Sequence, residues 1–176
     1  LLRDNATMDV DIRGNDANDM MFVNYGGQDS KIEFDVRNNT VNASGNGISL
    51  DEVSDEANQS ADIAVRDNII NGIGGSQVSE ILVDASAPFS SANITVSDNT
   101  LNETATNEGL LVNADGDDMS VNVTIRNNTV SEAPEISGIK TTVNGQNTIA
   151  NVSLTNNTVD AKADAVSLFP RGDDQT

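Results

Sequence analysis

Val123-Thr124-Ile125-Arg126-Asn127-Asn128-Thr129-Val130 is the stretch on which the fold turns, because the chain repeats it. Four further stretches align with it without a gap: Phe34-Asp35-Val36-Arg37-Asn38-Asn39-Thr40-Val41, Ile63-Ala64-Val65-Arg66-Asp67-Asn68-Ile69-Ile70, Ile94-Thr95-Val96-Ser97-Asp98-Asn99-Thr100-Leu101 and Val152-Ser153-Leu154-Thr155-Asn156-Asn157-Thr158-Val159. From Asn39 to Asn68, Asn99, Asn128 and Asn157 the steps are 29, 31, 29 and 29 residues. A degenerate copy, Val10-Asp11-Ile12-Arg13-Gly14-Asn15, stands 24 residues before Asn39. A period of this length points to a repeat architecture and takes precedence over any local reading.

Within each copy apolar and polar residues alternate, as in Ile94 and Val96 against Thr95 and Ser97, which is the pattern of a half-buried strand. A second apolar run follows in every copy: Met20 to Val23, Ile48 to Leu50, Ile81 to Val83, Leu110 to Val112, Ile139, and Ala165 to Leu168. A helical reading fails, since β-branched residues hold the apolar positions and Asn, Thr, Gly and Asp fill the intervals. One copy cannot bury its own apolar face, whereas copies stacked in register can. The expected fold is therefore all-β: a parallel β-helix of about six coils, roughly 29–31 residues each, with two or three strands per coil. At about 4.8 Å per rung, six coils make a rod of roughly 29 Å. The solenoid is expected over residues 1–170, with Pro170 ending the last strand and 171–176 forming a polar tail.

Stacking turns each repeated position into a column. Asn15, Asn39, Asn68, Asn99, Asn128 and Asn157 fall at the bend between two strands, where an inward amide can donate to one rung and accept from another. Asn also tolerates the left-handed conformation that a tight bend demands. With these residues the chain resembles the right-handed parallel β-helix repeat proteins, the group of pectin-lyase-like enzymes, phage tailspikes and the passenger segments of bacterial adhesins and autotransporters, in which internal asparagine ladders are a feature. The resemblance implies the fold, with the right-handed crossover usual for parallel strands. It implies little about function, because the same coil serves enzymes and inert stalks.

Composition narrows the chemistry. The 176 residues carry Asp+Glu 28 against Lys+Arg 9, a net charge of -19, with no Cys, His or Trp. Disulfides, thiol nucleophiles and Cys-ligated zinc are excluded, as are the usual general base and the commonest metal ligand. Such an acidic chain repels phosphate backbones and anionic lipid, so neither nucleic-acid binding nor membrane association is expected. No apolar run approaches the roughly 20 residues that span a bilayer as a helix.

Several outward columns invite a chemical reading. In lyases of the resembling group an Arg or Lys near bound calcium abstracts a proton from an acidic sugar, which brings Arg13, Arg37, Arg66 and Arg126 into question. These arginines recur with the repeat, however, and their acidic neighbours Asp35, Asp62 and Asp67 point to surface cross-strand pairs. Asp67 and Asp98, on adjacent rungs, are the pair placed for acid/base work on a glycosidic bond. Asn113, Asp115 and Asp117 set oxygen ligands at alternate positions in an acidic turn partly like a calcium loop, although the terminal bidentate Glu is missing. Calcium is thus the one cofactor suggested. The threonine column (Thr40, Thr100, Thr129, Thr158) is broken by Ile69 and does not form the flat double row of an ice-binding face. Of the aromatic residues, Phe22, Phe34 and Phe169 are expected to point inward, leaving Tyr25 and Phe89 as sugar platforms.

Sequons occur at Asn5, Asn38, Asn42, Asn58, Asn93, Asn102, Asn122, Asn127, Asn151 and Asn156, most of them generated by the repeat. The excess of Asp and the scarcity of Lys suit high or marine salt, where screening shortens self-repulsion. The expected function is a non-enzymatic, extracellular or cell-surface β-helix segment of a larger protein, structural or adhesive. Its expected partners are glycans or cell-surface molecules, and domains flanking it in the same chain. The alternative is a carbohydrate-active enzyme or polysaccharide-binding module, with Asp98 and Asp67 as the residues to test.

Overall fold

A computed structural model describes residues 5–52, 57–72, 79–102, 108–133 and 137–171. The first coil consists of β1 (Thr7–Arg13), β2 (Asp16–Ala17) and β3 (Met21–Tyr25), and the second of β4 (Lys31–Arg37), β5 (Thr40–Ala43) and β6 (Ile48–Glu52). The third contains β7 (Ser60–Arg66), β8 (Ile69–Gly72) and β9 (Ile81–Ala85); the fourth β10 (Ser91–Ser97), β11 (Thr100–Asn102) and β12 (Glu108–Asp115). In the fifth are β13 (Ser120–Arg126), β14 (Thr129–Ala133) and β15 (Ser137–Asn144), and in the sixth β16 (Ile149–Thr155), β17 (Thr158–Ala161) and β18 (Asp164–Arg171). Each coil gives one strand to each of three six-stranded parallel sheets, ordered β1-β4-β7-β10-β13-β16, β2-β5-β8-β11-β14-β17 and β3-β6-β9-β12-β15-β18. The chain is an all-β parallel solenoid.

Register follows the repeat. Phe34 pairs with Ile63, Ile63 with Ile94, Ile94 with Val123 and Val123 with Val152, so the aligned stretches lie on top of one another. The inward columns Ile32, Ala61, Ala92, Val121 and Val36, Val65, Val96, Ile125 are buried, and so are Val41, Ile70, Leu101 and Val130 from the second sheet. Ile48, Ile81, Leu110 and Ile139 close the core from the third sheet. Burying each of the valine, isoleucine and leucine side chains contributes about 1.5–3 kcal/mol relative to leaving it in water.

The asparagine column closes the corner between the first and second sheets. Asn99 Nδ2 donates to Asn128 Oδ1 at 3.0 Å and back to Val65 O at 2.9 Å, while its backbone N–H donates to the same Asn128 Oδ1 at 3.1 Å. Asn99 Oδ1 in turn accepts from the N–H and Nδ2 of Asn68, each at 3.0 Å. The pattern repeats from Asn15 through Asn39, Asn68, Asn99 and Asn128 to Asn157. Both amide hydrogens and both Oδ1 acceptor sites of each interior member are used. Backbone bonds run through the corner as well, Asp98 N–H donating to Arg126 O and Thr100 N–H to Asn68 O.

The left-handed position lies one residue before the one expected. Gly14, Asn38, Asp67, Asp98, Asn127 and Asn156 have φ of 65, 53, 56, 59, 56 and 54°, and the ladder asparagines do not. The two tasks are divided: one residue turns the chain, and the next satisfies the corner. A second left-handed column, Asn5, Asp29, Asn58, Phe89, Asp118 and Asn147, turns the chain from the third sheet into the first. Phe89 (φ 52°) is the exception in a column otherwise of Asn and Asp, which bear this conformation best.

Three aromatic assignments are corrected. Tyr25 is buried and packs edge-on against Phe34 with centroids 5.3 Å apart, whereas Phe22 is 48% and Phe169 44% exposed. The phase of β3 is set by pairing with β6, where Val23 meets Leu50 and Tyr25 meets Glu52, and Phe22 must then face outward. Phe169 pairs with the outward Thr142. Pro170 does not end the last strand: β18 runs to Arg171, with Pro170 beside Val143. An edge strand tolerates a residue without an N–H. The rest of the expected tail, 172–176, lies outside the described residues.

Asn99→Leu would take the Oδ1 acceptor from the Asn68 N–H and from one Asn68 Nδ2 hydrogen, and remove the Nδ2 bond to the Val65 carbonyl, at an expected cost of about 3–5 kcal/mol. Asn157→Leu, at a half-buried position where water reaches the freed donors, should cost less; denaturant midpoints of the two variants measure the difference. Phe89→Asn should stabilise by about 1 kcal/mol in the same assay, because it relieves a left-handed phenylalanine that is 61% exposed and gives up little packing.

Candidate functional site

The repeating columns of the first and second sheets are largely occupied with one another. Arg66 holds Asp35 through two bonds, Nε to Oδ1 at 3.1 Å and Nη2 to Oδ2 at 2.8 Å, and lies 3.5 Å from Asp67. Arg37 lies 3.3 Å from Asp11 and 3.2 Å from Asp35. Arg66–Asp35 is a cross-strand surface pair of the kind expected and Arg37–Asp11 adds another, whereas Arg37–Asp35 and Arg66–Asp67 join near neighbours in one coil and Asp62 takes part in none of these pairs. Two outer asparagine ladders run beside the inner one: Asn102 to Asn71 to Asn42 on the second sheet, and Asn151 to Asn122 to Asn93 on the first, at 2.8–3.0 Å per step. Asn42, Asn93, Asn102, Asn122 and Asn151 are all sequon residues, so the amide that would carry a glycan already takes part in a ladder. The recurrence of Asn at these positions was the sequence signal for them.

Asp67 and Asp98 occupy the left-handed corner positions. Asp98 Oδ1 accepts from Asn127 Nδ2 at 3.0 Å, and that bond holds its carboxyl below the usual carboxylate range. A general acid needs the opposite shift.

Non-repeating chemistry collects on the outer face of the third sheet. Pairing sets Asp84, Asn113, Thr142 and Phe169 in one row and Asp115 and Asn144 in the next. Lys140, Thr142, Asn144 and Phe169 line an open groove of about 280 Å³. The Lys140 ammonium stands 5.7 Å from the Phe169 ring centroid and 2.8 Å from Oε1 of the buried Glu108, so this side chain meets both an anion and an aromatic face. One ring, one hydroxyl, one amide and one ammonium together suit a polyol better than a flat apolar ligand.

Asn113 and Asp115 border this groove as neighbours of Thr142 and Asn144. They belong to strand β12 rather than to a turn, which corrects the local structure expected for them. Asp117 lies beyond the strand, where its Oδ1 accepts the Gln146 N–H at 2.7 Å. The structure therefore aligns two of the three calcium candidates and engages the third in the corner. Among the described residues no three Asp or Glu side chains converge as metal ligands would.

In comparisons with known proteins the chain matches no family model, no curated protein and no solved structure. Fold and site stand on the chain itself.

Buried acids were not foreseen. Glu52 occupies an inward position and accepts the N–H groups of Ser86 and Ala87 at 2.5 and 3.0 Å in the following coil; burial pushes its carboxyl up to about 7 against those bonds. Burial also raises Asp84, although Ser86 Oγ bonds to it. Tyr25 donates its hydroxyl to Asp84 O, and its own ionisation is pushed well up, by burial first and Glu52 second. Glu80 lies at the entrance to the third sheet, where its carbonyl accepts from Gly47 and Ile48 N–H. A Cβ on Gly47 would fall 2.9 Å from that carbonyl and 2.5 Å from Ile70 Cγ2, so only glycine fits there. The Glu80 carboxyl is 3% exposed, both of its oxygens lack a hydrogen-bond partner, and burial lifts it to about 9.

Such a group makes the rod sensitive to alkali. Below pH 4.5 Glu80 is protonated whether the chain is folded or not, and burying it carries no ionisation penalty. Between 4.5 and about 9 the unfolded chain ionises first, so stability falls as pH rises, at up to about 1.4 kcal/mol per pH unit. Glu80→Gln should flatten this slope, and urea denaturation from pH 5 to pH 9 would read the difference.

Proposed function

We propose that the chain is a non-catalytic, rigid β-helix segment of a secreted or cell-surface protein, serving as a structural or adhesive rod. The observation that supports this best is the continuous asparagine ladder, in which every interior amide is spent on its neighbouring coils. Positions repeated in every coil thus serve stacking, and three continuous backbone sheets give the rod stiffness. The likeness to adhesin passengers and pectin-lyase-like proteins belongs to this reading and rests on the same ladder. An extracellular setting agrees with the charge of -19, borne by a shell that salt can screen and that disfavours nucleic acid and anionic membrane as partners.

The groove at Lys140, Thr142, Asn144 and Phe169 favours a glycan as the adhesive partner. A carbohydrate-active enzyme is the competing reading, with Asp84 as the carboxyl whose raised ionisation favours it. A panel of neutral and acidic polysaccharides separates the two. The expected result is retention without turnover, weakened at least tenfold by Phe169→Ala. Turnover that is lost on changing Asp67, Asp84 or Asp98 would overturn the structural reading.

A further inference from the structure

The buried and half-buried carboxyls of the third sheet are each met by a donor, with one exception. Glu108 takes the Lys140 ammonium at 2.8 Å, Glu52 takes the N–H groups of Ser86 and Ala87, and Asp84 takes the Ser86 hydroxyl. Glu80 is the most deeply buried of the four, yet among the described residues neither of its oxygens has a partner and no neighbouring charge bears on its ionisation. Its place in the register gives the side chain room. Ile48, Ile81, Leu110 and Ile139 form one row, and one residue before them stand Gly47, Glu80, Gly109 and Gly138, so glycine flanks Glu80 in both neighbouring coils. The Glu80 carbonyl accepts the N–H groups of Gly47 and Ile48 at 3.0 and 2.8 Å. Asn46 and Ser49 bracket those two donors, and Asn46 Oδ1 and Ser49 Oγ are buried without partners as well.

We propose that this entrance to the third sheet, between the second and third coils, is a binding site for a dehydrated monovalent metal cation, sodium or potassium, with the Glu80 carboxylate as its charged ligand and Asn46 and Ser49 as neutral ones. This rests on the orphaned oxygens and is independent of the rod's biological role. An ionised carboxylate buried alone is costly, and it is tolerated when paired with a positive charge or a metal. Glu108 in the following coil shows the paired arrangement, with Lys140 as its cation. Glu80 has the same need, and no Lys or Arg of the described residues meets it.

The chemistry of the oxygens selects the occupant. A carboxylate and an amide oxygen accept and do not donate, so a proton on Glu80 brings one hydrogen to a group of oxygens that could use several. A metal ion answers several oxygens at once. Ligands that are all oxygen suit hard alkali and alkaline-earth ions over transition metals. Charge decides between those two: one carboxylate is neutralised by a single positive charge, whereas a divalent ion would leave an unbalanced charge in a buried place. Glu108 adds no second free charge, because Lys140 already holds it. The acidic shell, at a net charge of -19, concentrates cations around the rod. Entry of the ion releases the proton that burial keeps on Glu80, one for one.

Urea denaturation of the 176-residue chain at pH 9 tests this, in the chlorides of sodium, potassium and tetramethylammonium, each raised from 0.05 to 0.5 M. Tetramethylammonium screens surface charge as the metals do but is too bulky to be ligated by oxygens. The expected result is a midpoint that rises further in sodium or potassium than in tetramethylammonium, by roughly 0.5 M urea over that tenfold range. Glu80→Gln should abolish the difference and keep the rise common to all three salts. If circular dichroism shows that Glu80→Gln does not fold, Asn46→Ala decides instead: the metal effect should weaken at least threefold, and an unchanged effect would overturn the proposal. Identical midpoints in the three salts would overturn it and leave Glu80 a neutral acid that only a proton fills. A metal effect that survives Glu80→Gln would overturn it as well, by placing the ion elsewhere. Calcium chloride at matched ionic strength should add nothing beyond tetramethylammonium, and stabilisation by calcium alone would reject the monovalent assignment.

Discussion

An asparagine amide has two hydrogens to give and two acceptor positions to fill, and this solenoid exists because stacking satisfies all four at once. A corner between parallel strands brings backbone groups and a side chain inside together, where an unmatched polar atom costs about 1–3 kcal/mol. The ladder removes that cost at each coil by tying the amide to the coil above, the coil below and the carbonyl behind it. The apolar columns supply most of the stabilisation, but they are non-directional and would tolerate sliding. The ladder does not, because a displaced coil loses its amide bonds as a set. Register is in this sense enforced at the corner and filled in along the strands.

The left-handed residues complete the arrangement. Each coil keeps the same separation between the second left-handed corner and the ladder: Asn5 to Asn15, Asp29 to Asn39, Asn58 to Asn68, Phe89 to Asn99, Asp118 to Asn128 and Asn147 to Asn157. The differing coil lengths are absorbed entirely outside this segment. The first sheet is accordingly the regular wall of the solenoid, and the irregular chemistry collects on the third, which follows the stretch of variable length.

How much of this could be read from the sequence depended on repetition. Strand identity, parallel stacking and the inner ladder were legible because the same residues recur at a fixed step. The phase of β3 was not: Met20-Met21-Phe22-Val23 is apolar throughout, and alternation cannot choose a face when both alternatives are apolar. Pairing with β6 decides it and reverses the roles of Phe22 and Tyr25. The division of labour between Asn127 and Asn128, and between Asn38 and Asn39, was hidden because asparagine suits both tasks. The groove was illegible for the opposite reason: Lys140, Thr142, Asn144 and Phe169 come from two coils and occur once. Glu52 and Glu80 gave no signal, since a carboxylate in an acidic chain looks like surface until its position is known.

The constancy of the segment from the second corner to the ladder also bears on how such a chain changes length. A cut at one ladder asparagine and a join at the next removes a whole coil and leaves identical chemistry at the seam: a corner residue, an amide and a strand of the same phase. Neither the coil above nor the coil below would need to rearrange. Rod length is thus a quantity that recombination can adjust in steps of one coil, separately from the surface each coil presents. The ladder asparagine returning at steps of 29, 31, 29 and 29 residues after a first step of 24 is a spacing that such exchange of whole coils accommodates.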